Sequence, residues 1–251
     1  MSMIAGSLGV IPARLASRRL PRKPLHVIAG RPLIEWVWRR VSSLGLTEAL
    51  VVATESDEVA QIVRAFGGEA VITDPDHPSG TDRVAEVANL PAYRSLPYIL
   101  NVQGDEPFVT ATQIRAVLSL VAEEGWAVGT AATPLRNVSE WTEPSTVKVV
   151  TGDRGHALYF SRASIPYARD MAASSIPNLA LRHLGLYAYT REALMKWVSL
   201  PVAPLEGVEK LEQLRPLSAG LSIGVALVDM TDGGIDTLDD ARRAETLLRA
   251  S

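Results

Sequence analysis

Cysteine is absent from the 251 residues. That excludes a disulfide framework, a thiolate zinc site, an iron–sulfur cluster and a cysteine nucleophile. Long apolar runs are absent too. The longest are strand-sized, far short of the ~20 residues of a spanning helix, so membrane insertion is not expected. The first ten residues carry no basic patch and no apolar core of a leader, which makes the cytoplasm the expected compartment. Neither G-x-x-x-x-G-K-[ST] nor G-x-G-x-x-G occurs, so a P-loop and a dinucleotide fingerprint are both unavailable. An excess of positive charge is also lacking. Lys+Arg number 25 against Asp+Glu 28. A dedicated nucleic-acid binder would normally be basic, so no nucleic-acid partner is expected.

What is present is ordinary globular material, with 47% hydrophobic and 21% charged residues. Short apolar runs alternate with helical patterns. Strands are expected at 8–13, 49–53, 70–72 and 98–102. Helices are expected at 33–44, 57–66 and 82–89, and from a cap at Thr110 or Thr112 to residue 124. Within 33–44, Ile34, Val37, Trp38 and Val41 fall at the i, i+3, i+4, i+7 spacing of one buried face. Continuous Val/Ile/Leu strands between helices imply an α/β fold. Its sheet should be mostly parallel and covered by helices on both faces. Such sheets bind ligands beyond the carboxyl ends of their strands.

The second half changes character. Strands at 147–150, 157–160 and 185–189 suggest mixed or antiparallel pairing. A helix at 205–217, a strand at 222–228 and a last helix at 238–248 follow. The small, polar stretch 171–178 reads as a mobile loop. The expectation is one α/β domain over 1–251, with a smaller mixed-strand portion inserted at roughly 145–220.

Several constellations lie where chemistry is expected. The loop after the first strand holds Arg14, Arg18, Arg19, Arg22 and Lys23, stiffened by Pro12, Pro21 and Pro24. Fixed cations and backbone N–H groups suit a polyphosphate, although a solvated basic loop has the same composition. Asn101-Val102-Gln103-Gly104-Asp105-Glu106-Pro107 places Asp105 just beyond a buried strand. Mg²⁺ favours one or two carboxylates with phosphate oxygens and water, whereas a turn aspartate would look alike. Asp236 either caps the last helix, as Thr237 also could, or supplies a second metal ligand. On a continuous helix Glu206, Glu209 and Gln213 would share one face, able to bond sugar hydroxyls or simply to meet water. Strand alternation puts His183 and Tyr187 on one side, with Ser161-Arg162 upstream. His77-Pro78-Ser79-Gly80-Thr81-Asp82-Arg83 reads as a turn into a helix cap.

Taken in order, these stretches resemble the 3-deoxy-manno-octulosonate (Kdo) cytidylyltransferase family, which makes CMP-Kdo for lipopolysaccharide. The resemblance covers nearly the whole chain. It rests on Ile11-Pro12-Ala13-Arg14, Leu20-Pro21, Lys23-Pro24-Leu25 and Ser79-Gly80-Thr81-Asp82-Arg83. It continues through the Asn101 to Pro107 stretch, Ala157-Leu158-Tyr159-Phe160-Ser161-Arg162, Leu181-Arg182-His183-Leu184-Gly185, Pro204-Leu205-Glu206 and Leu211-Glu212-Gln213-Leu214-Arg215.

The resemblance implies a fold of the nucleotide-diphospho-sugar transferase type. It implies cytidylyl transfer from CTP to the anomeric hydroxyl of Kdo, with Mg²⁺ as cofactor and a homodimer as the assembly. The catalytic groups would be Arg14, Lys23 and Asp105. The nucleotide would be held by Pro12, Ala13, Arg14, Ser17, Lys23, Ser79 and Gln103. The sugar acid would lie among Gln103, Arg162, His183, Tyr187, Glu206, Glu209 and Gln213. Asp105 and Asp236 would hold the metal. The chain departs from the family where Arg18 replaces a usual Thr and Arg22 a usual Gly. Glu55 stands for a common Asp, and Asp82 for Glu. A cytidylyltransferase for another ulosonic acid, or a non-catalytic nucleotide- or sugar-binding relative, would share most of these motifs.

Overall fold

The computed structural model describes residues 3–17, 19–170, 175, 180–229 and 233–250. Arg18, and all of the expected loop 171–178 except Ser175, lie outside the described residues. The chain forms two compact units. One comprises Met1–Ile114 with Thr231–Ser251, the other Arg115–Met230. The portion expected as an insert, 145–220, falls within the second.

The first unit opens with β1 (Ser7–Pro12), buried at every position. A loop leads to a single 3-10 turn, Lys23–Leu25, and to the two-residue strands β2 (Val27–Ile28) and β3 (Arg31–Pro32). Then come α1 (Leu33–Leu44), β4 (Ala49–Thr54), α2 (Asp57–Ala65), β5 (Glu69–Ile72), α3 (Gly80–Asn89) and β6 (Tyr98–Asn101). The strand order is β6-β1-β4-β5, and every pairing in it is parallel. Leu8, Val10, Ile11, Val51, Val52, Ile99 and Leu100 are wholly buried. Residues burying both faces of a strand explain the continuous apolar runs.

Helix α1 turns Leu33, Ile34, Val37 and Val41 inward and ends at Gly45, whose φ of 58° is the left-handed conformation that favours glycine. Helix α2 is capped by Ser56, whose hydroxyl accepts from the Val59 N–H. Asp57 and Glu58 at its start and Arg64 at its end complement the helix dipole. Helix α3 starts two residues before the expected 82, because Ser79 Oγ accepts the Asp82 N–H and draws Gly80 and Thr81 into the first turn.

Helix α4 (Ala111–Ala122) contains the boundary between the units. Thr110 is its cap: Thr110 Oγ1 accepts from the Gln113 N–H at 3.2 Å, while Gln113 Oε1 accepts from the Thr110 N–H at 3.0 Å.

In the second unit follow β7 (Val128–Pro134), α5 (Val138–Thr142), β8 (Lys148–Thr151), β9 (Ala157–Ser161), β10 (Leu181–Thr190), α6 (Arg191–Ser199), α7 (Pro204–Glu209), α8 (Leu214–Ser218) and β11 (Ile223–Leu227). Strand β7 runs antiparallel to β10 and parallel to β11. Strands β10, β8 and β9 pair antiparallel in turn, giving the mixed strands expected of this half. The last helix, α9 (Leu238–Ala250), belongs to the first unit. The protein is thus an α/β fold, a parallel sheet flanked by helices with a smaller mixed-strand portion.

One expected element is overturned. The helix read over 205–217 is two short helices, α7 and α8. Lys210 stands between them in the left-handed region, with φ 55°. Pro216 explains the break: within a continuous helix it would lack the N–H its turn needs and clash with the preceding turn. In the first turn of α8 that N–H has no intrahelical partner to lose. Glu206, Glu209 and Gln213 therefore do not line one helical face.

Candidate active site

The end of β1 is fixed first. The Ala13 N–H donates to the Ala53 carbonyl at 2.8 Å, extending the parallel pairing one residue past the strand. Gly104 lies against this turn. A Cβ there would come within 2.8 Å of the Pro12 carbonyl oxygen, so only glycine lets the two strand ends approach so closely. Gln103 beside it donates to Asn101 Oδ1 at 3.4 Å. Pro12, Ala13 and Gln103 are thereby gathered at one edge.

The basic loop is next. Arg14 donates to the His77 carbonyl at 2.9 Å. Ser17 Oγ accepts a long hydrogen bond, 3.4 Å, from the Leu20 N–H. Ser79, expected near the base, is buried, and its hydroxyl serves as the α3 cap while donating to the Asp82 carboxylate. Arg22 holds the left-handed conformation, φ 54° and ψ 38°, which favours glycine, and its guanidinium pairs with Glu58.

Lys23 is the centre of the site. Its Nζ pairs with Asp105, 82 residues away. It also reaches Asp236 Oδ1 at 2.9 Å, across a sequence separation of 213. Arg19 adds a second cation to the same Asp236 oxygen at 2.9 Å. Burial alone would lower the Lys23 pKa. The charges and hydrogen bonds of Asp105 and Asp236 together outweigh it and hold the ammonium above its ordinary range.

The backbone brings the two aspartates together. The Ile235 N–H donates to the Asp105 carbonyl at 2.9 Å, and the Ile235 side chain is buried. Thr237 is the cap of α9: its Oγ1 accepts from the Asp240 N–H at 3.2 Å, while Asp240 Oδ2 takes the Thr237 N–H at 2.8 Å and the Asp236 N–H at 3.1 Å. Thr237 and Asp240 share the capping between them, which leaves the Asp236 carboxylate for cations.

Among the described residues no group of three or more His, Asp or Glu side chains is arranged to hold a metal. Two carboxylates meeting at one nitrogen are nevertheless a donor set that suits Mg²⁺, which takes its remaining ligands from phosphate oxygens and water.

The second unit holds the other expected residues. Glu206 is spent inside the protein: its oxygens accept from Arg215 at 2.9 and 2.6 Å and from the Ala203 N–H at 3.2 Å. Burial would raise its pKa, but Arg215 and the Ala203 N–H prevail and lower it. Glu209 accepts from the Arg162 N–H at 2.9 Å, from Ser161 Oγ, and from Tyr159 at 3.5 Å. Its pKa is likewise lowered, these donors overcoming the cost of burial. Arg162 Nε donates to the Glu209 carbonyl at 2.9 Å, and its Nη1 to the Pro144 carbonyl at 3.0 Å. The fully buried Lys148 fixes the Arg162 backbone, donating to its carbonyl at 2.7 Å.

His183 and Tyr187 share a side of β10, as the alternation predicts, with ring centroids 5.4 Å apart. Phe160 meets His183 edge-on at 5.0 Å. Burial among these groups pushes the His183 pKa down to about 3, so the ring is neutral. Thr130 Oγ1 lies 2.9 Å from both His183 Nε2 and the Leu186 carbonyl. Gln213 is buried at the start of α8.

Sequence reasoning missed Glu55 and Arg83 as parts of the site. Glu55 Oε1 accepts the Leu15 N–H at 2.9 Å. Glu55 Oε2 lies 3.1 Å from the buried Arg83 guanidinium. The position of Glu55, directly after β4, was the available signal.

Comparison with known proteins follows the same line. The family model described as cytidylyltransferase matches residues 8–223. A 3-deoxy-manno-octulosonate cytidylyltransferase of Gemmatimonas aurantiaca is 51% identical over 95% of this chain and 93% of its own. One of Paramagnetospirillum magneticum is 48% identical over 96% and 97%. The chain belongs to the 3-deoxy-manno-octulosonate cytidylyltransferase family. Among solved structures, CMP:2-keto-3-deoxy-manno-octonic acid synthetase in complex with CTP superposes with a TM-score of 0.87 at 39% identity, covering 97% of this chain and 98% of that one. A 4-diphosphocytidyl-2C-methyl-D-erythritol synthase from Anaerococcus prevotii shares the fold, with a TM-score of 0.62 at 13% identity over 97% and 98%.

Proposed function

We propose that this family member transfers the cytidylyl group of CTP to the anomeric hydroxyl of Kdo, releasing pyrophosphate for lipopolysaccharide synthesis. The sugar hydroxyl attacks the α-phosphorus in line, and the bond to the β-phosphate oxygen breaks. The obstacle is electrostatic, because an anionic sugar must approach a polyanion. Each unit-charge pair at ~7 Å costs roughly 2 kcal/mol at an effective dielectric near 20. Arg14 and Lys23 supply positive charge to the triphosphate and to the departing pyrophosphate. Pro12, Ala13, Ser17, Ser79 and Gln103 frame the nucleotide. Asp105 and Asp236 would hold Mg²⁺, which when bound neutralises phosphate charge and polarises the attacked phosphate. No covalent intermediate is needed, so rate comes from positioning and charge stabilisation.

The second unit carries the sugar-side residues. Arg162 and Gln213, with Gln103 of the first unit, are assigned to the sugar acid. Neutral His183 and Tyr187 give a hydrogen-bonding and apolar wall. Glu209 is held in place by Arg162 and Ser161, and Glu206 acts through Arg215, joining α7 to α8. A homodimer in the cytoplasm completes the reading. The exposed Val202, Leu205 and Val208 at α7 suit such an assembly, and no helix among the described residues is long and apolar enough to cross a membrane.

The observation that carries this reading is the meeting of Asp105 and Asp236 on Lys23. A pyrophosphate-release assay with each nucleoside triphosphate and several ulosonic acids tests it. Release with CTP and Kdo, and little with ATP or with sialic acid, is expected. Preference for another sugar acid, or CTP binding without turnover, would overturn it.

A further inference from the structure

Glu55 is a carboxylate at the mouth of a basic loop, where its charge has the wrong sign for binding phosphate. It stands directly after Thr54, the last residue of β4, at the carboxyl end of a central strand. One of its oxygens accepts the Leu15 N–H at 2.9 Å, one residue beyond Arg14. The other faces the Arg83 guanidinium at 3.1 Å. Arg83 is only 1% exposed and also donates to Thr73 Oγ1. The Glu55 charge is therefore neutralised from beneath, while its outer oxygen grips the loop. Within one helical turn Glu58 takes the guanidinium of Arg22, at the far end of the same loop. Arg14 itself is tied to the His77 carbonyl. Leu15 and Arg22 are thus two points at which the β4–α2 connection and the first turn of α2 hold the loop.

We propose that Glu55 is a positioning residue for the nucleotide: through the Leu15 N–H it sets the path of the loop that aims Arg14 at the triphosphate. This assignment rests on the proposed cytidylyl transfer. It predicts that binding of CTP depends on the acceptor at position 55 rather than on the charge there.

Two variants separate these properties. Glu55→Gln keeps an acceptor for Leu15, whereas Glu55→Met keeps the length and loses the acceptor. Both remove the carboxylate charge that faces Arg83. Both should melt lower, because a buried guanidinium loses the carboxylate it faces. The CTP KM, and the CTP Kd from calorimetry without sugar, should rise about tenfold in Glu55→Met but stay within about threefold in Glu55→Gln, as for one lost hydrogen bond. The Kdo KM should hardly move in either. Should the lone substitutions prevent folding, the same pair is compared in an Arg83→Met background, where no charge is stranded.

Equal CTP affinity in the Gln and Met variants, or a parallel loss toward CTP and Kdo, overturns the assignment while leaving the cytidylyl transfer standing. Absence of pyrophosphate release by the unsubstituted protein overturns the functional reading, and the assignment with it.

Discussion

Lys23 in the first unit and Arg215 in the second are both cations held by carboxylates, yet they are held differently. Lys23 is shared by Asp105 and Asp236, with side chains 19%, 23% and 39% exposed. Arg215 and Glu206 are 7% and 10% exposed and form two hydrogen bonds with each other. The first arrangement leaves its charges within reach of water and of a ligand that could take them over. The second is closed: a buried pair with its bonds made is expensive to break and has nothing left to offer. Ion pairs in one protein therefore divide into those that join elements and those that a substrate can re-partner. Accessibility, rather than distance, separates them.

The contrast is tested most severely at Arg215. Arg215→Ala should cost about 3–5 kcal/mol by stranding the Glu206 carboxylate, read as a large drop in thermal midpoint. Replacing both partners together, as Glu206→Gln with Arg215→Met, should recover much of that loss. Asp105→Asn should do the reverse. Turnover in the pyrophosphate assay should fall on the order of a hundredfold or more, with little change in melting. Near-normal release by that variant would remove Asp105 from the reaction.

Glu209 lies between these extremes, since it is partly buried but accepts from Arg162, which is assigned to the sugar. Glu209→Ala should raise the Kdo KM about tenfold and the CTP KM far less, as expected for lost positioning of Arg162. The opposite pattern would move Glu209 away from the sugar.

His183 gives a dependence on pH. Its folded pKa, about 3, lies below the ordinary histidine value, so the unfolded chain takes up a proton that the folded one refuses. Stability should fall as pH drops from about 6.5 toward 3, with no contribution from this ring above that range. His183→Gln should lose a few degrees less in melting midpoint between pH 7 and pH 5.

The smallest effects concern Lys210 and Arg22, both held in the left-handed region. Lys210 is exposed, with φ 55°. Lys210→Gly should stabilise by up to ~1 kcal/mol by removing the strain of a side chain in that conformation. Arg22→Gly should gain less, because Glu58 loses its partner.

Much of this was legible beforehand, for identifiable reasons. Helix α1 occupies the expected span because an apolar stripe and a stop at Gly45 coincide. The buried strands announced themselves as unbroken Val and Ile runs. Strand β7 escaped notice because Gly129, Thr130, Ala131, Ala132 and Thr133 carry little apolar signal, although its neighbours bury it. Helix α6 also went unread, despite Leu194 and Trp197 on one face and Thr190 as its cap. The break at Lys210 was announced by Pro216, which the Leu205, Val208, Leu211 spacing concealed. At the site, the resemblance named Asp105, Asp236 and Lys23, and the structure brings these three side chains together. The resemblance could not foretell that Glu206 and Ser79 use their polar atoms internally, nor that Glu55 grips Leu15. Those depend on which donors come within 3 Å, a property of packing and not of spacing.

The return of the chain to its first unit also governs when the site can exist. Asp236 follows everything in the second unit, and its docking relies on the Ile235 contact and the Thr237–Asp240 cap. A nascent chain that had emerged only as far as β11 would possess Arg14, Lys23 and Asp105 but only one of the two anchors for the lysine. Under the proposed role of Asp236 the site is completed late in biosynthesis, and removal of the chain from Ile235 onward should abolish turnover while sparing every residue of the parallel strands.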